Sequence, residues 1–160
     1  MAKPQKPCSR CRGDMTPVRL PPFEGAEGEV KLTVIGMPAL ACAGDHKRFV
    51  YPEFAALLMD FTADTAHYEV AEPAVKRGLL RRHYHCPACG QELSPAPAAT
   101  RRVEFDVDLH DADPFRLAVE VPIYACPSCG AQCEHPPEEL AKLGFKAVAH
   151  AYRSVDIHPE

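Results

Sequence analysis

The sequence has no tryptophan, and aromatic residues make up only 8% of its 160 positions. Proline, by contrast, occurs 17 times, a frequency that favours turns and short strands over long helices. No apolar stretch follows the positive charges of residues 1–7, and no run is long enough to span a bilayer. We therefore predict a cytoplasmic protein of small β-rich α+β class, with reduced thiols and no membrane partner.

A strong positive charge is also missing. The formal net charge is −4, and zinc sites made of three or four thiolates would make the loaded chain more negative still. Such a surface disfavours a phosphate backbone as the main partner. Glycine-rich phosphate loops, H-E-x-x-H and G-x-S-x-G motifs are absent as well, so no nucleotide, small-molecule substrate or common hydrolytic site is indicated.

What the sequence does have is eight cysteines in short turns. Two knuckles, Cys86-Pro-Ala-Cys89-Gly90 and Cys126-Pro-Ser-Cys129-Gly130, are separated by a predicted hairpin. Two residues between paired cysteines let one tight turn direct both sulfurs at a single ion, and the following glycine accommodates the turn. We predict one structural zinc site formed by Cys86, Cys89, Cys126 and Cys129, with no open position for a reactant.

A second zinc site is predicted from Cys8, Cys11 and Cys42, which supply three thiolates. The fourth ligand is assigned to His46, because an imidazole is the commoner partner of three thiolates. Asp45 remains an alternative, since alignment with the second knuckle places it opposite Cys129. Cys133 is left over, as a plain unpaired thiol, as a replacement for a neighbouring ligand or as a thiol that senses oxidation.

The two halves follow one plan, because Cys8 to Cys86 and Cys11 to Cys89 are both 78 residues apart. The predicted units are residues 1–62, a first zinc ribbon with a closing helix; 63–84, a helical linker; and 85–160, a second zinc ribbon with a C-terminal helix and tail. We expect a metal, and not a large core, to hold each half together. The closing helices are predicted at Tyr51–Met59 and Pro136–Gly144, where proline stands in the first turn.

Alternating apolar residues predict the strands. In the second half they run from Val103 to Leu109 and from Leu117 to Ile123, and in the first half from Val18 to Leu20 and from Val30 to Val34 around a loop at 21–28. The linker is predicted to be a helix with a basic face. The main positive cluster comprises Lys76, Arg77, Arg81, Arg82, Arg101 and Arg102, together with Lys3, Lys6, Arg10 and Arg12.

Both halves resemble zinc ribbons, and more narrowly the YgiT-type zinc finger that forms the N-terminal domain of MqsA-like antitoxins. The matching positions are Cys8, Cys11, Pro38 and Cys42 in the first half and Cys86, Cys89, Pro122, Cys126 and Cys129 in the second. The second pair of the first half departs from the family's Cys-x-x-Cys, and we expect no counterpart of the family's DNA-binding helix-turn-helix domain. The resemblance implies that the part retained here, and doubled, is the part that binds a protein.

The sequence thus predicts a non-enzymatic protein with two structural Zn²⁺ ions that acts as a protein–protein interaction module of regulatory or antitoxin-like type. Candidate contact surfaces are exposed strand edges and the apolar segments Met37–Leu40 and Ile123–Tyr124. Two alternatives stay open. One is a nucleic-acid-associated zinc-ribbon regulator that uses the basic cluster, and the other is a rubredoxin-like iron electron carrier, since paired knuckles of this type also hold iron.

Overall fold

The computed structural model describes residues 5–78, 80 and 83–158, which form eleven strands, two α-helices and a 3₁₀ turn at Thr65–His67. The strands are β1 (Thr16–Arg19), β2 (Phe23–Glu27), β3 (Val30–Ile35), β4 (Pro38–Ala41), β5 (Lys47–Arg48), β6 (Val75–Arg77), β7 (His83–His85), β8 (Ala99–Val107), β9 (Phe115–Ala125), β10 (Gln132–Cys133) and β11 (Ile157–His158). The helices are α1 (Phe54–Ala63) and α2 (Pro137–Ser154). Neither helix combines the length and apolar character needed to cross a membrane.

The central sheet is built from both halves of the chain. The long strand β9 pairs with β8 on one side and with β3 and β10 on the other, and β2 continues the sheet beyond β3. All these pairings are antiparallel, with Val34 opposite Leu117 and Val103 opposite Val119. The sheet therefore joins the two sequence repeats through the β3–β9 pairing.

Helix α2 covers one face of this sheet and packs on β2, β3 and α1. The close approach of α2 to β2 depends on Gly25, where a Cβ atom would collide with the backbone of Ala147 and Ala151. The helix buries the apolar face that includes Leu140, Ala147 and Val148. An amphipathic helix of this kind packs its apolar face on a sheet and leaves its polar face exposed.

One apolar core stabilises both halves, which differs from the expectation that metals alone would do so. Phe54 and Met37 from the first half share this core with Leu117 and Leu140 from the second. The predicted ligands lie outside it, and the four that are buried, Cys8, Cys42, Cys86 and Cys126, belong to two small clusters of their own. Burial of apolar surface across β3 and β9 is thus available to stabilise the fold without a metal.

The remaining strands support the cysteine turns. A four-stranded sheet has the order β1-β4-β5-β11, with β5 and β11 parallel, and β6 pairs with β7 in a small two-stranded sheet. The cysteine-rich turns are next to strands of these two sheets: the turn at 8–13 precedes β1, the turn at 42–46 joins β4 to β5, and the turn at 86–90 follows β7.

Several local predictions are confirmed. The β8–β9 hairpin forms where the alternating pattern predicted it, and helices begin after both second knuckles. The coarse α+β class is therefore confirmed. Helix α2 extends to Ser154, well beyond the predicted end, because its apolar face continues through Ala151 and Tyr152.

Other predictions are wrong. The loop expected at 21–28 contains β2, which pairs with β3, whereas β1 pairs with β4. The helix expected in the linker is a strand at Val75–Arg77, which is paired with β7 and ends before Gly78 at a φ of 116°. The apolar segments offered as contact surfaces are largely core, because Met37, Ala39, Leu40 and Tyr124 are buried.

Candidate metal centres

Pairing of β1 with β4 creates the first group of metal-ligating side chains. Thr16 lies opposite Ala41, so the turn before β1, which carries Cys8 and Cys11, comes next to the turn after β4, which carries Cys42 and His46. The sulfurs of the three cysteines and a ring nitrogen of His46 all lie within 4.8 Å of one another. These four residues could hold one metal ion.

The distances within the first group suit a tetrahedral ion. The Nδ1 atom of His46 lies 3.5 Å from the sulfur of Cys8 and 3.4 Å from that of Cys42, and the sulfurs of Cys11 and Cys42 are 3.6 Å apart. Zinc bonds of about 2.3 Å to sulfur and about 2.0 Å to nitrogen give tetrahedral edges of about 3.8 Å between sulfurs and about 3.5 Å between sulfur and nitrogen. The observed edges are within a few tenths of an ångström of these values.

The Cys8 turn has the same backbone hydrogen bonds as the two later Cys-x-x-Cys turns. The N–H of Cys8 donates to the carbonyl of Gly13, and the N–H of Arg12 donates to the carbonyl of Cys8. In the Cys126 turn the equivalent bonds join Cys126 to Ala131 and Gly130 to Cys126. Arg12, at a φ of 61°, thus occupies the left-handed position that glycine fills in the other two turns.

The Cys42 turn is one residue shorter, which explains its unusual ligand. The N–H of Cys42 donates to the carbonyl of His46, and the N–H of Asp45 donates to the carbonyl of Cys42. Asp45, at a φ of 60°, takes the left-handed position, and His46 follows it. From that position the imidazole of His46 reaches back to the sulfurs of Cys8 and Cys42. The Asp45 carboxylate lies 3.5 Å from Nζ of Lys47 and is not in the group.

The second group forms where the β7 knuckle meets the end of β9. Cys86 and Cys89 follow β7, while Cys126 and Cys129 lie between β9 and β10. The sulfurs of Cys86 and Cys129 are 3.6 Å apart, and those of Cys89 and Cys126 are 3.5 Å apart. A disulfide requires about 2.05 Å, so these thiols are free. All four sulfurs lie within 4.8 Å of one another and could hold a second metal ion.

The backbone of the three Cys-x-x-Cys turns favours a thiolate at the first cysteine, and backbone hydrogen bonds lower the pKa of Cys8, Cys86 and Cys126. Hydrogen bonds from the N–H groups of Cys129 and Ser128 lower the pKa of the Cys126 thiol to about 6 against the opposing effect of burial. The N–H groups of Cys11 and Arg10 do the same for Cys8, whose pKa also falls to about 6. Amide hydrogens pointing at sulfur stabilise the charged form.

The second cysteine of the later turn shows the opposite shift. The N–H of Ala131 lowers the pKa of the Cys129 thiol, but hydrogen bonding with Cys86 and burial outweigh it and raise the pKa to about 12. Neighbouring thiols cannot all ionise at these distances without a compensating cation. The chemistry of the donor set therefore fits a divalent ion that replaces the thiol protons.

Cys133, the unassigned cysteine, is fully buried beside the second group. It shares a small apolar cluster with Cys86, Cys126 and Tyr124, and burial together with the neighbouring Cys86 raises the pKa of its thiol to about 11. It is not a member of either metal-ligating group. In this environment it packs as an apolar side chain.

The histidines near the second group contact residues other than its four cysteines. His83 pairs with the Glu92 carboxylate at 2.9 Å, and His85 forms a β-bridge with the same residue. Sequence reasoning did not single out His135, which is buried and contacts the hydroxyl of Tyr124 at 3.3 Å through Nε2. Burial lowers its pKa, so its imidazole is neutral near pH 7. Its only sequence signal was its place two residues after Cys133.

Four members of the predicted basic cluster are paired with carboxylates, among them Arg10, which lies 3.5 Å from Asp156. Lys76 lies 3.3 Å from Glu139, Arg101 lies 2.8 Å from Glu134, and Arg102 lies 3.1 Å from Glu104. Lys3, Arg81 and Arg82 lie outside the described residues. Lys6, Arg12 and Arg77, the other described members of the cluster, are exposed.

Comparison of the chain with family models, with curated proteins and with solved structures gave no match in any of the three. The zinc-ribbon resemblance therefore rests on the residues themselves.

Proposed function

We propose that this chain is a non-enzymatic zinc protein, built on two tandem zinc ribbons, that acts as a protein–protein interaction module of regulatory or antitoxin-like type. Each metal-ligating group offers four donors at tetrahedral distances, in the Cys₃His and Cys₄ combinations typical of structural zinc. Four protein ligands complete the coordination of zinc and leave no position for an activated water. This supports a structural role for both ions.

The observation that carries the interaction role is the exposure of the knuckle tips at the second group. Cys86 and Cys126 are buried, whereas the residues that follow each of them are exposed. These exposed tips are residues 87–90 and 127–130, which contain proline, alanine, serine, cysteine and glycine and no charged side chain. A bound ion would hold both tips side by side, so a partner could bind them at little cost in ordering entropy.

The same tips do not favour the nucleic-acid alternative. A phosphate backbone is bound by lysine and arginine side chains, which the tips lack. Lys76, Arg101 and Arg102 of the basic cluster are each paired with a carboxylate. The iron alternative makes a separate prediction, because iron bound to four thiolates is coloured and redox-active. Zinc-thiolate sites are colourless.

The test uses the zinc-loaded full chain as bait in its native cells, followed by reconstitution of a binary complex from purified components. We expect Ser128→Glu and Ala88→Lys, which change only the exposed tips, to weaken that complex at least tenfold while zinc content stays the same. Lys142→Glu, an exposed charge change on α2, is the matched control and should leave binding unaltered.

Three results would contradict the proposal. The first is a partner that binds both tip variants as tightly as the parent chain. The second is binding of DNA or RNA whose affinity falls steeply with salt. The third is visible iron-thiolate absorption in the freshly purified protein.

A further inference from the structure

Strand β8 is an edge of the central sheet. It pairs with β9 along all nine of its residues, and among the described residues no strand pairs with its other side. Nine residues of strand extend about 30 Å and present a row of unpaired backbone N–H and C=O groups. An edge of that length can add another strand.

Most features that protect an edge from pairing are absent in β8. The strand contains neither proline nor glycine, and its register with β9 is unbroken from Ala99 opposite Ile123 to Val107 opposite Phe115, so there is no bulge. The charge of Arg101, on the face that packs against the core, is neutralised by Glu134 at 2.8 Å. The edge is regular and open to pairing.

The core-facing side of β8 also leaves apolar surface uncovered. Val103 and Phe105 pack against the core but remain only partly buried. Phe105 contacts the rings of Phe61 and Tyr68 on the inner side. A further strand along the edge would cover the remaining surface of both residues, which favours pairing through burial.

The outer face of β8 carries alternating charges that decide which strand fits. Arg102 and Glu104 lie on this face, where Nε of Arg102 donates to the Glu104 carboxylate at 3.1 Å. Asp106, the next residue on the face, is bound by Arg116 of β9 at 3.1 Å. Opposite charges directly across an antiparallel pair stabilise it, and like charges destabilise it.

We propose that β8 pairs antiparallel with β8 of a second copy of this chain, about a two-fold axis at Val103. In that register Arg102 of each copy faces Glu104 of the other, so both charges are complemented twice. Under this two-fold axis the outer faces of both β8 strands lie on the same side of the joined sheet, and the residue at the axis faces its own copy. Each alternative register therefore has a different residue of β8 at the axis.

The neighbouring registers are unfavourable. Centring the pair on Arg102 places two arginines opposite each other, and centring it on Glu104 places two glutamates opposite each other. Centring it on Phe105 puts Glu104 across from Asp106. The Val103 register is therefore selected by charge, and on the inner face it sets Val103 against Val103 and Phe105 against the Arg101 guanidinium, a cation–π arrangement.

The test is the mass of the zinc-loaded full chain measured by sedimentation equilibrium across a wide concentration range. We expect a reversible dimer. Arg102→Glu and Glu104→Arg, tested separately, should each weaken dimerisation at least tenfold, because each places like charges opposite each other at two positions. Lys31→Glu, an exposed charge change on β3, should leave the dimer unaltered.

Mixing the two single variants tests the charge pairing more specifically. At positions 102 and 104 the Arg102→Glu variant carries two acidic residues and the Glu104→Arg variant carries two basic residues, so an equimolar mixture should form a heterodimer. The double variant R102E/E104R should form a homodimer again, since the two charges only change places. Circular dichroism and zinc content check that every variant is folded.

A chain that stays monomeric at all concentrations overturns the proposal, as does a dimer that both single variants retain. Failure of the two single variants to associate when mixed, with both folded, also overturns it.

Discussion

The Nδ1 atom of His46 lies 3.5 Å from the sulfur of Cys8, although 38 residues separate the two positions. Pairing of β1 with β4 creates this contact, and the short Cys42 turn directs the imidazole toward all three sulfurs. The relationship makes His46 the fourth donor of the first group and leaves Asp45 beside Lys47.

Replacing His46 should therefore remove one metal ion. We expect His46→Ala to lower the zinc content from two ions per chain to one, because three thiolates alone leave the tetrahedral site incomplete. Elemental analysis after gel filtration measures this. Asp45→Asn is the control, since asparagine tolerates the left-handed conformation and should keep both ions. Loss of an ion in the control, with both ions kept in His46→Ala, would make Asp45 the ligand.

Arg12 and Gly90 both adopt the left-handed backbone conformation in their turns. Arg12→Gly and Gly90→Ala should therefore change the free energy of unfolding in opposite directions. Arg12 adopts a φ of 61° and Gly90 a φ of 79°, and a non-glycine residue in this region costs about 1–2 kcal/mol. Arg12→Gly should raise the free energy of unfolding by up to about 1 kcal/mol, because the entropy of glycine in the unfolded chain offsets part of the gain.

Gly90→Ala should lower the free energy of unfolding by about 1 kcal/mol, through conformation alone. A Cβ atom at Gly90 meets nothing within 4 Å, so steric collision adds nothing. Urea unfolding of the zinc-loaded variants measures both effects. Destabilisation by Arg12→Gly would show that its side chain matters more than its backbone.

Gly25→Ala should separate α2 from the central sheet. The added methyl group would collide with the backbone of Ala147 and Ala151, which cannot move as a side chain can. We expect a loss of about 3 kcal/mol, the upper range for overpacking a core. Chemical unfolding checks this against Ala26→Ser, at the next and exposed position of β2, which should have little effect.

Metal removal should loosen the cysteine turns and leave the central core folded. The buried members of the two metal-ligating groups lie in two small clusters, separate from the core that joins both halves. With a chelator present, amide hydrogen exchange should accelerate at residues 8–13, 42–46, 86–90 and 126–131, while β3, β9 and α2 keep their protection. Complete unfolding on chelation would mean that the metals, and not the shared core, stabilise the fold.

Patterns that depend on local spacing predicted their part of the structure well. The alternation around Val103 and Leu117 identified the β8–β9 hairpin because one face of that hairpin is buried. The cysteine spacing likewise identified two groups of four residues that could hold a metal ion, since each tight turn sets two donor side chains by itself. Both features are encoded within a few neighbouring residues.

Long-range pairing could not be inferred in the same way. The repeat suggested two separate units, yet Lys31–Ile35 pairs with Arg116–Glu120 across the halves. Strand β2 was missed because its residues Phe23–Glu27 include glycine and two glutamates, and its role depends on contact with α2. The linker segment Val75–Arg77 has a helical composition but is held as a strand by β7.

Zinc X-ray absorption of the purified full chain, together with elemental analysis, decides whether the protein holds two closed tetrahedral zinc sites. We predict two zinc ions per chain and an average shell of three to four sulfurs at about 2.3 Å, with a minor nitrogen contribution from the Cys₃His site. Oxygen in the first shell, iron in place of zinc, or thiols found as disulfides would contradict it.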